Sequence, residues 1–412
     1  EIMHLMCKEK KILILGVGEA QLHLINEARN LGYYIVVCDM RSESEGAKIA
    51  DKFYCVNYVN REAVLEIASN EQIDGVISNS EPAMLTVAYV AEELGLVGNS
   101  VKSVETLLSK TKFRELQKKA GVYAPVHYMV SSEMELLEKV QNMRYPIIIK
   151  PIESSGTRGT TRVDEYNEEM ICEAFHVCKD FSRNDLVAVE EYVKMQSLIV
   201  NGAEIFVNGT EIFWEGLFWQ NRSSVAHMVP MSEIFPIGLE KDKVEKIKNS
   251  VERILREADI KHGQYNVETY FTEKDEVFVI EINPRQGGNN LPLLVKEHSG
   301  VDFTKLLVST AVGDMCYYDE LKSFKREFNY ITQQVVFSRV DGLYRGLYID
   351  ECIRPFVKWI KEEHKLGDKI VNGINAADAI AFVDLQFDSF DTQHRYTDEI
   401  ETYIYPIVER IS

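Results

Sequence analysis

Tyr265-Asn266-Val267-Glu268-Thr269-Tyr270-Phe271-Thr272-Glu273-Lys274-Asp275-Glu276-Val277-Phe278-Val279-Ile280-Glu281-Ile282-Asn283-Pro284-Arg285 reads as two strands joined by a polar loop. Residues 265–272 are aromatic and β-branched, residues 277–282 run Val-Phe-Val-Ile-Glu-Ile, and the acidic and basic residues 273–276 between them suit a β-hairpin. Setting Thr272 opposite Val277 puts Glu268 opposite Glu281 and Asn266 opposite Asn283. Glu281 and Asn283 then share a face with Val277 and Val279, because strand side chains alternate. Like charges opposed across two strands destabilise a sheet, so this register asks for a neutralising partner. A hard divalent cation answers it. Magnesium takes one or two carboxylates and fills its shell with water and phosphate oxygens. Arg285, two residues past Asn283, offers a planar fork for a phosphate. An exposed hairpin with solvated acids is the plain alternative.

The remaining composition narrows the class. The 412 residues suffice for about two to four domains. No apolar run reaches the ~18 residues of a membrane span. Lys8, Lys10 and Lys11 precede a short apolar run that enters Gly16-Val17-Gly18, which reads as a first strand and not a secretory signal. A net charge of −19 argues against nucleic acid or an anionic membrane as partner. The seven cysteines form no CxxC pair and the nine histidines no HExxH pattern. That usage fits a reducing cytoplasm.

Strand–helix alternation over the first hundred residues implies a parallel, doubly wound sheet. Strands are expected at 11–15, 35–38 and 73–77, the last running into Ser78-Asn79-Ser80-Glu81 and a helix over 83–94. In such sheets ligands bind beyond the carboxyl ends of strands, so these four side chains are expected to face a central cleft. The Gly16-Val17-Gly18 turn with Asp39 downstream suggests a dinucleotide site, but Gln21 stands where the third glycine belongs. Residues 101–120 read as one cationic helix that sets Lys110 and Arg114 on a common face. Residues 145–150 form a short strand ending at Lys150. The small and hydroxylic residues after it, Ser154, Ser155, Gly156, Gly159 and Thr160, with Arg158 and Arg162, suit a mobile loop over phosphates. Residues 187–193 are a strand that runs into Glu190 and Glu191.

Taken together in this order, the pieces resemble the ATP-grasp superfamily. They are Lys110-x-x-x-Arg114 before Ala120-Gly121, Ile149-Lys150-Pro151 with its Ser/Gly/Arg loop, Glu190-Glu191-Tyr192-Val193, and Glu281-Ile282-Asn283-Pro284-Arg285. The likeness spans roughly residues 10–320 and is greatest to carboxylate–amine ligases of the L-amino-acid-ligase and carbamoyl-phosphate-synthase-like groups. It implies ATP as substrate and magnesium, or manganese in its place, as cofactor. Lys110 and Lys150 then hold the ATP phosphates, with Ser154, Ser155 and Gly156 closing over them. Glu190 and Glu191 lie by the adenine amino group, the Val193 backbone meets the ring, and Gln196 stands where a ribose contact belongs. Glu268, Glu281 and Asn283 are the implied metal ligands. Arg285, with Lys150, is the implied catalytic group. Glu81, Glu233, Arg285, Gly288 and Asn289 are expected to meet the carboxylate and amine substrates.

The fold class expected is therefore mixed α/β and α+β. A Rossmann-like pre-ATP-grasp domain would span 1–105. An ATP-grasp domain would span 106–320, with a lid at about 125–195 and a second part at about 196–320. A small α+β domain would span 321–412. The expected reaction forms an amide or peptide bond from an acid and an amine through an acyl phosphate, with an amino acid among the substrates. Small molecules are then the partners, and a homodimer is one assembly the reading allows. The alternatives are an enzyme of the same superfamily using bicarbonate or formate, and an ATP-binding protein without turnover.

Overall fold

The computed structural model describes residues 9–151, 159–182, 186–197, 199–222, 229–373 and 376–410. Its first sheet is parallel. Strands β1 (Lys11–Leu15), β2 (Tyr34–Asp39), β3 (Lys52–Cys55) and β4 (Gly75–Ile77) lie in the order β3-β2-β1-β4. Helices α1 (Glu19–Asn30), α2 (Glu45–Ile49), α3 (Arg61–Glu71) and α4 (Met84–Leu94) link and cover them. Ile12 through Leu15 are all buried, as a parallel sheet covered on both faces requires. Gly75 starts β4 because a Cβ there would come within 2.4 Å of the Ala311 carbonyl oxygen.

The cationic stretch expected as one helix is two, α5 (Val101–Leu108) and α6 (Lys110–Lys119). Ser109 separates them. Its backbone is extended, and its hydroxyl accepts from the Lys112 N–H, capping α6. Lys110 therefore opens a helix, and Arg114 one turn later is buried.

An antiparallel sheet follows in the order β5-β8-β6-β7, built from β5 (His127–Val130), β6 (Ile147–Pro151), β7 (Thr161–Val163) and β8 (Val187–Glu191). Its period-2 alternation is strict. Ile147, Ile149, Val187 and Val189 pack with helices α7 (Glu133–Val140) and α8 (Glu168–Phe181). Ile148, Lys150 and Glu190 consequently point to the opposite face.

The central sheet has eight strands. They are β9 (Ile199–Asn208), β10 (Glu211–Arg222), β11 (Pro230–Phe235), β12 (His262–Phe271), β13 (Val277–Asn283), β14 (Tyr330–Val336), then, past β15 (Gly342–Ile349), β16 (Val357–Glu362) and, past β17 (Lys369–Ile370), β18 (Ala381–Phe387). Their order is β13-β12-β9-β10-β11-β14-β18-β16, so the sheet runs unbroken across residue 320. Strands β15, β17 and β19 (Ile404–Glu409) make a small separate sheet. Helix α9 (Lys241–Glu257) packs Ile247, Val251 and Ile254 on one face of the large sheet. Helices α10 (Leu291–Ser299) and α11 (Phe303–Ala311) join the other face to the first sheet in one core, where Ile14 and Leu24 meet Phe206, Phe218 and Leu294. None of the described helices is long and apolar enough to cross a membrane.

The β12–β13 hairpin pairs Glu268 with Glu281 and Asn266 with Asn283, as expected. The anchor differs. Phe271, not Thr272, faces Val277, and a bulge between Glu268 and Thr269 absorbs the extra residue on β13. A bulge reverses the alternation beyond it. Val277 and Val279 therefore pack in the core with Ile282. Phe278, Ile280, Glu281 and Asn283 line the opposite, cleft-facing side, contrary to the expectation that Glu281 and Asn283 share a face with Val277 and Val279.

Candidate active site

Helix α6, the β6–β8 face and the hairpin enclose a cavity of about 380 Å³. One part of its wall is apolar, from Phe113, Ile148, Tyr270, Phe278 and Ile280. Lys110, Arg114, Lys150, Glu190, Glu191 and Val193 line it too, as do Glu81, Glu281 and Asn283. An apolar slot beside clustered cations and acids suits a heterocycle joined to a polyanion.

Lys150 and Glu190, on neighbouring strands, form an ion pair, and the Arg114 Nε lies 3.6 Å from the other Glu190 oxygen. Burial acts to raise the Glu190 carboxyl, but the two cations outweigh it and hold the group below its usual range. Burial pushes the Lys150 ammonium down against the pull of Glu190. The Glu191 side chain turns instead to the Arg144 N–H at 3.0 Å. The Val193 carbonyl accepts from the Tyr270 hydroxyl at 3.2 Å, and the Gln196 N–H bonds Phe271 O at 3.0 Å, which ties this segment to the hairpin. The Gln196 side chain is exposed and does not line this cavity. Ser154, Ser155, Gly156 and Arg158 lie outside the described residues.

The Glu268–Glu281 repulsion is met in part by the chain itself. Arg222 Nη2 lies 2.9 Å from Glu268 Oε1, and Asn283 Nδ2 donates to Glu281 Oε1 at 2.8 Å. Burial, with Glu281 beside it, still outweighs Arg222 and raises the Glu268 carboxyl above its usual range. A further positive charge is thus favourable here. Among the described residues no group of three His, Cys, Asp or Glu side chains gathers. Two acids and an amide oxygen fit magnesium, which needs no larger protein set when phosphate and water complete its shell.

Arg285 Nη2 donates to Glu81 Oε2 at 3.0 Å, joining the hairpin end to the first sheet. The rest of Ser78-Asn79-Ser80-Glu81 departs from expectation. Ser78 donates to Leu15 O and lines a small separate cavity beside Arg285. Asn79 bonds Gln21, and Ser80 meets the Tyr58 hydroxyl, so both turn into the first domain. The glycine turn is also internally occupied. Gly18 N–H goes to Gln21 Oε1 at 3.0 Å and Val17 N–H to Asp39 Oδ2 at 3.1 Å, while Arg41 pairs with Asp39 at 2.6 Å. An Asp39 so engaged is poorly placed to hold a ribose, which disfavours the dinucleotide reading.

Two buried acids complete the site. Glu204 accepts from Asn266 and from the Gly287 N–H, each at 2.7 Å, and from Gln264 at 2.9 Å. Burial outweighs these donors and pushes its carboxyl up to about 7. Glu233 accepts from Asn289 and from Gln220, each at 3.1 Å, and burial raises it as well. Asn289 therefore lies against Glu233, while neighbouring Gly288 is exposed. Glu204, Arg222 and Gln220 were not singled out from sequence, and Asn266 only as the residue opposite Asn283. The available signal was a lone acid inside the apolar run Ala203-Glu204-Ile205-Phe206-Val207.

Residues 115–288 match the family model of the ATP-grasp domain and residues 25–98 that of the ATP-grasp N-terminal domain. The formate-dependent phosphoribosylglycinamide formyltransferase of Bacteroides fragilis is 25% identical over 287 residues, 67% of this chain and 70% of that protein. The carbamoyl phosphate synthase large chain, C-terminal section, of Aquifex aeolicus is 24% identical over 74% of this chain and 58% of its own length. Among solved structures, phosphoribosylglycinamide synthetase from Anaerococcus prevotii superposes with a TM-score of 0.78 at 21% identity, covering 97% of this chain and 100% of that one. L-amino acid ligase from Bacillus licheniformis also gives 0.78, at 17% identity over 98% and 99%.

Proposed function

From a chain that carries an ATP-grasp domain behind an ATP-grasp N-terminal domain, we propose an ATP-dependent carboxylate–amine ligase. The observation that carries this reading is the single cavity lined at once by Lys110, Lys150, Glu190, Glu281 and Asn283. The adenine ring lies in the apolar slot near Glu190 and Val193. Lys110 and Lys150 take the phosphates. Glu268, Glu281 and Asn283 hold magnesium, which neutralises phosphate charge when bound.

A substrate carboxylate oxygen attacks the γ-phosphorus, the bond to the β-phosphate oxygen breaks, and ADP leaves. Arg285 steadies the transferring group; its planar fork suits the equatorial oxygens. The amine nitrogen then attacks the acyl carbon, phosphate departs, and the nitrogen's proton leaves with it. Glu81 and Arg285 orient the acid, while Glu233 and Asn289 take the amine. An amino acid is the acid or amine that this reading favours.

The domain limits proposed are 1–105, 106–320 and 321–412, the last continuing the central sheet. The test is release of ADP and phosphate from MgATP that depends on both an acid and an amine. Magnesium removal with a chelator should stop it. Phosphate release with bicarbonate or formate alone would instead favour the one-carbon alternative. Nucleotide binding without turnover across the whole panel would favour a non-catalytic protein.

A further inference from the structure

Four polar residues face one another across four adjacent strands of the central sheet. Gln220 on β10 is paired with Glu233 on β11, Glu233 with Gln333 on β14, and Gln333 with Asp384 on β18. All four are buried. Adjacent strands are spaced by about 4.8 Å, so the row runs on the order of 14 Å from β10 to β18. Its first end is two residues from Arg222, the partner of Glu268. Its far end lies within the field of Glu297, an exposed residue of α10.

The hydrogen bonds inside the row leave a remainder richer in acceptors than in donors. Gln220 Nε2 donates to Glu233 Oε1 at 3.1 Å, and Gln333 Nε2 donates to Asp384 Oδ1 at 2.8 Å. Gln220 Oε1, Glu233 Oε2 and Gln333 Oε1 are buried with no partner among the described residues. That leaves three acceptor oxygens, each with two lone pairs, against the second N–H of each amide. Each amide gives one N–H to an acid, and a flip would set its oxygen against that acid instead. Buried acceptors are ordinarily satisfied, and what satisfies these must bring N–H or O–H groups. The charge points the same way. Glu233, Asp384 and Glu297 are acids; Arg222 acts on Glu233 and Lys358 on Glu297, while the charges acting on Asp384 are the other two acids. Burial pushes Asp384 up to about 6, as expected of an acid held without a cation.

We infer that this row is the subsite for the amine substrate, and that it selects an amine bearing a second, cationic donor group, an ammonium or a guanidinium. The inference rests on the ligase reading above. The reacting nitrogen sits at the Glu233–Gln220 end, beside Arg222 and the acyl carbon. The second cation sits at the Gln333–Asp384 end. An ammonium has three donors and a guanidinium five, enough to fill the vacant acceptors.

The experiment measures phosphate release with MgATP and a pool of acids while the amine is varied. Agmatine, putrescine and lysine are compared with butylamine and norleucine, which lack the second cation. The cationic amines should be favoured by about tenfold or more in kcat/KM, the scale of a hydrogen bond to a charged group. Asp384→Asn and Gln333→Met, both close to isosteric, should remove that preference through KM for the cationic amine, with KM for ATP within about twofold of wild type. Hydroxylamine in place of the amine keeps the two claims apart. Hydroxamate formation with an unchanged amine preference in both variants overturns the subsite and leaves the ligase reading standing. No hydroxamate from any acid overturns the ligase reading itself. A wild type indifferent to the second charge overturns the subsite outright.

Discussion

Glu268 stands directly opposite Glu281 across β12 and β13, and the bulge beside Glu268 turns the Glu281 carboxylate into the nucleotide cavity instead of the core. The register opposes two acids, and the bulge decides which side they serve. Glu281→Gln should therefore abolish ATP turnover. It should not lower the melting temperature without magnesium, because one like charge is gone and the amide oxygen still accepts from Asn283. Turnover near wild type would remove Glu281 from the metal site.

Arg222 neutralises Glu268 at 2.9 Å. Arg222→Leu leaves a buried acid short of its cation and should cost about 3 kcal/mol of stability, less if Glu268 takes up a proton. Magnesium should then raise the variant's melting temperature by more than it raises that of wild type, since the metal supplies the missing charge. Equal magnesium shifts in the two proteins would place the ion away from Glu268.

Glu204 gives a signed pH dependence. Its carboxyl is raised to about 7 in the folded chain, against about 4.3 unfolded. Between those values the folded state binds more protons, so its contribution to stability falls as pH rises through the window. Glu204→Gln removes that slope. Measured by urea unfolding, the stability of the variant relative to wild type should improve from pH 5 to about pH 7 and level off above it. A pH-independent difference would show that Glu204 does not titrate there.

Asn289 has a left-handed backbone, φ 51°, and its side chain donates to Glu233 at 3.1 Å. A bulky Trp at this position would be strained by the backbone as well as by the pocket. Asn289→Gly keeps the conformation and removes only the donor. It should raise KM for the amine by about tenfold, the scale of a hydrogen bond to a charged group, with KM for ATP unchanged. An unchanged amine KM would separate Asn289 from the amine site.

How much of this was legible in sequence follows the range of the forces involved. The order of motifs carried a resemblance that implied one site for Lys150, Glu190, Glu281 and Asn283, and one cavity holds all four, whereas period-2 alternation alone put Glu281 and Asn283 on the face of Val277 and Val279. The bulge escaped notice, since nothing in Thr269 or Ile280 announces an extra residue. The break at Ser109 had a signal, a Ser that can cap, masked by helix formers on both sides. Glu204, Arg222 and the Gln220–Asp384 row were invisible as a set. They lie on β9, β10, β11, β14 and β18, and only the sheet order makes them neighbours.

An acyl phosphate is the central intermediate of the proposed reaction, and trapping it is the most direct measurement. The protein is incubated with MgATP, a panel of carboxylic acids including the amino acids, and hydroxylamine. Hydroxamate, ADP and phosphate should appear together for at least one acid, and all three should vanish with Arg285→Ala, which removes the group serving the phosphoryl step. Release of AMP and pyrophosphate in place of ADP and phosphate, or hydroxamate formation that survives loss of Arg285, would contradict it.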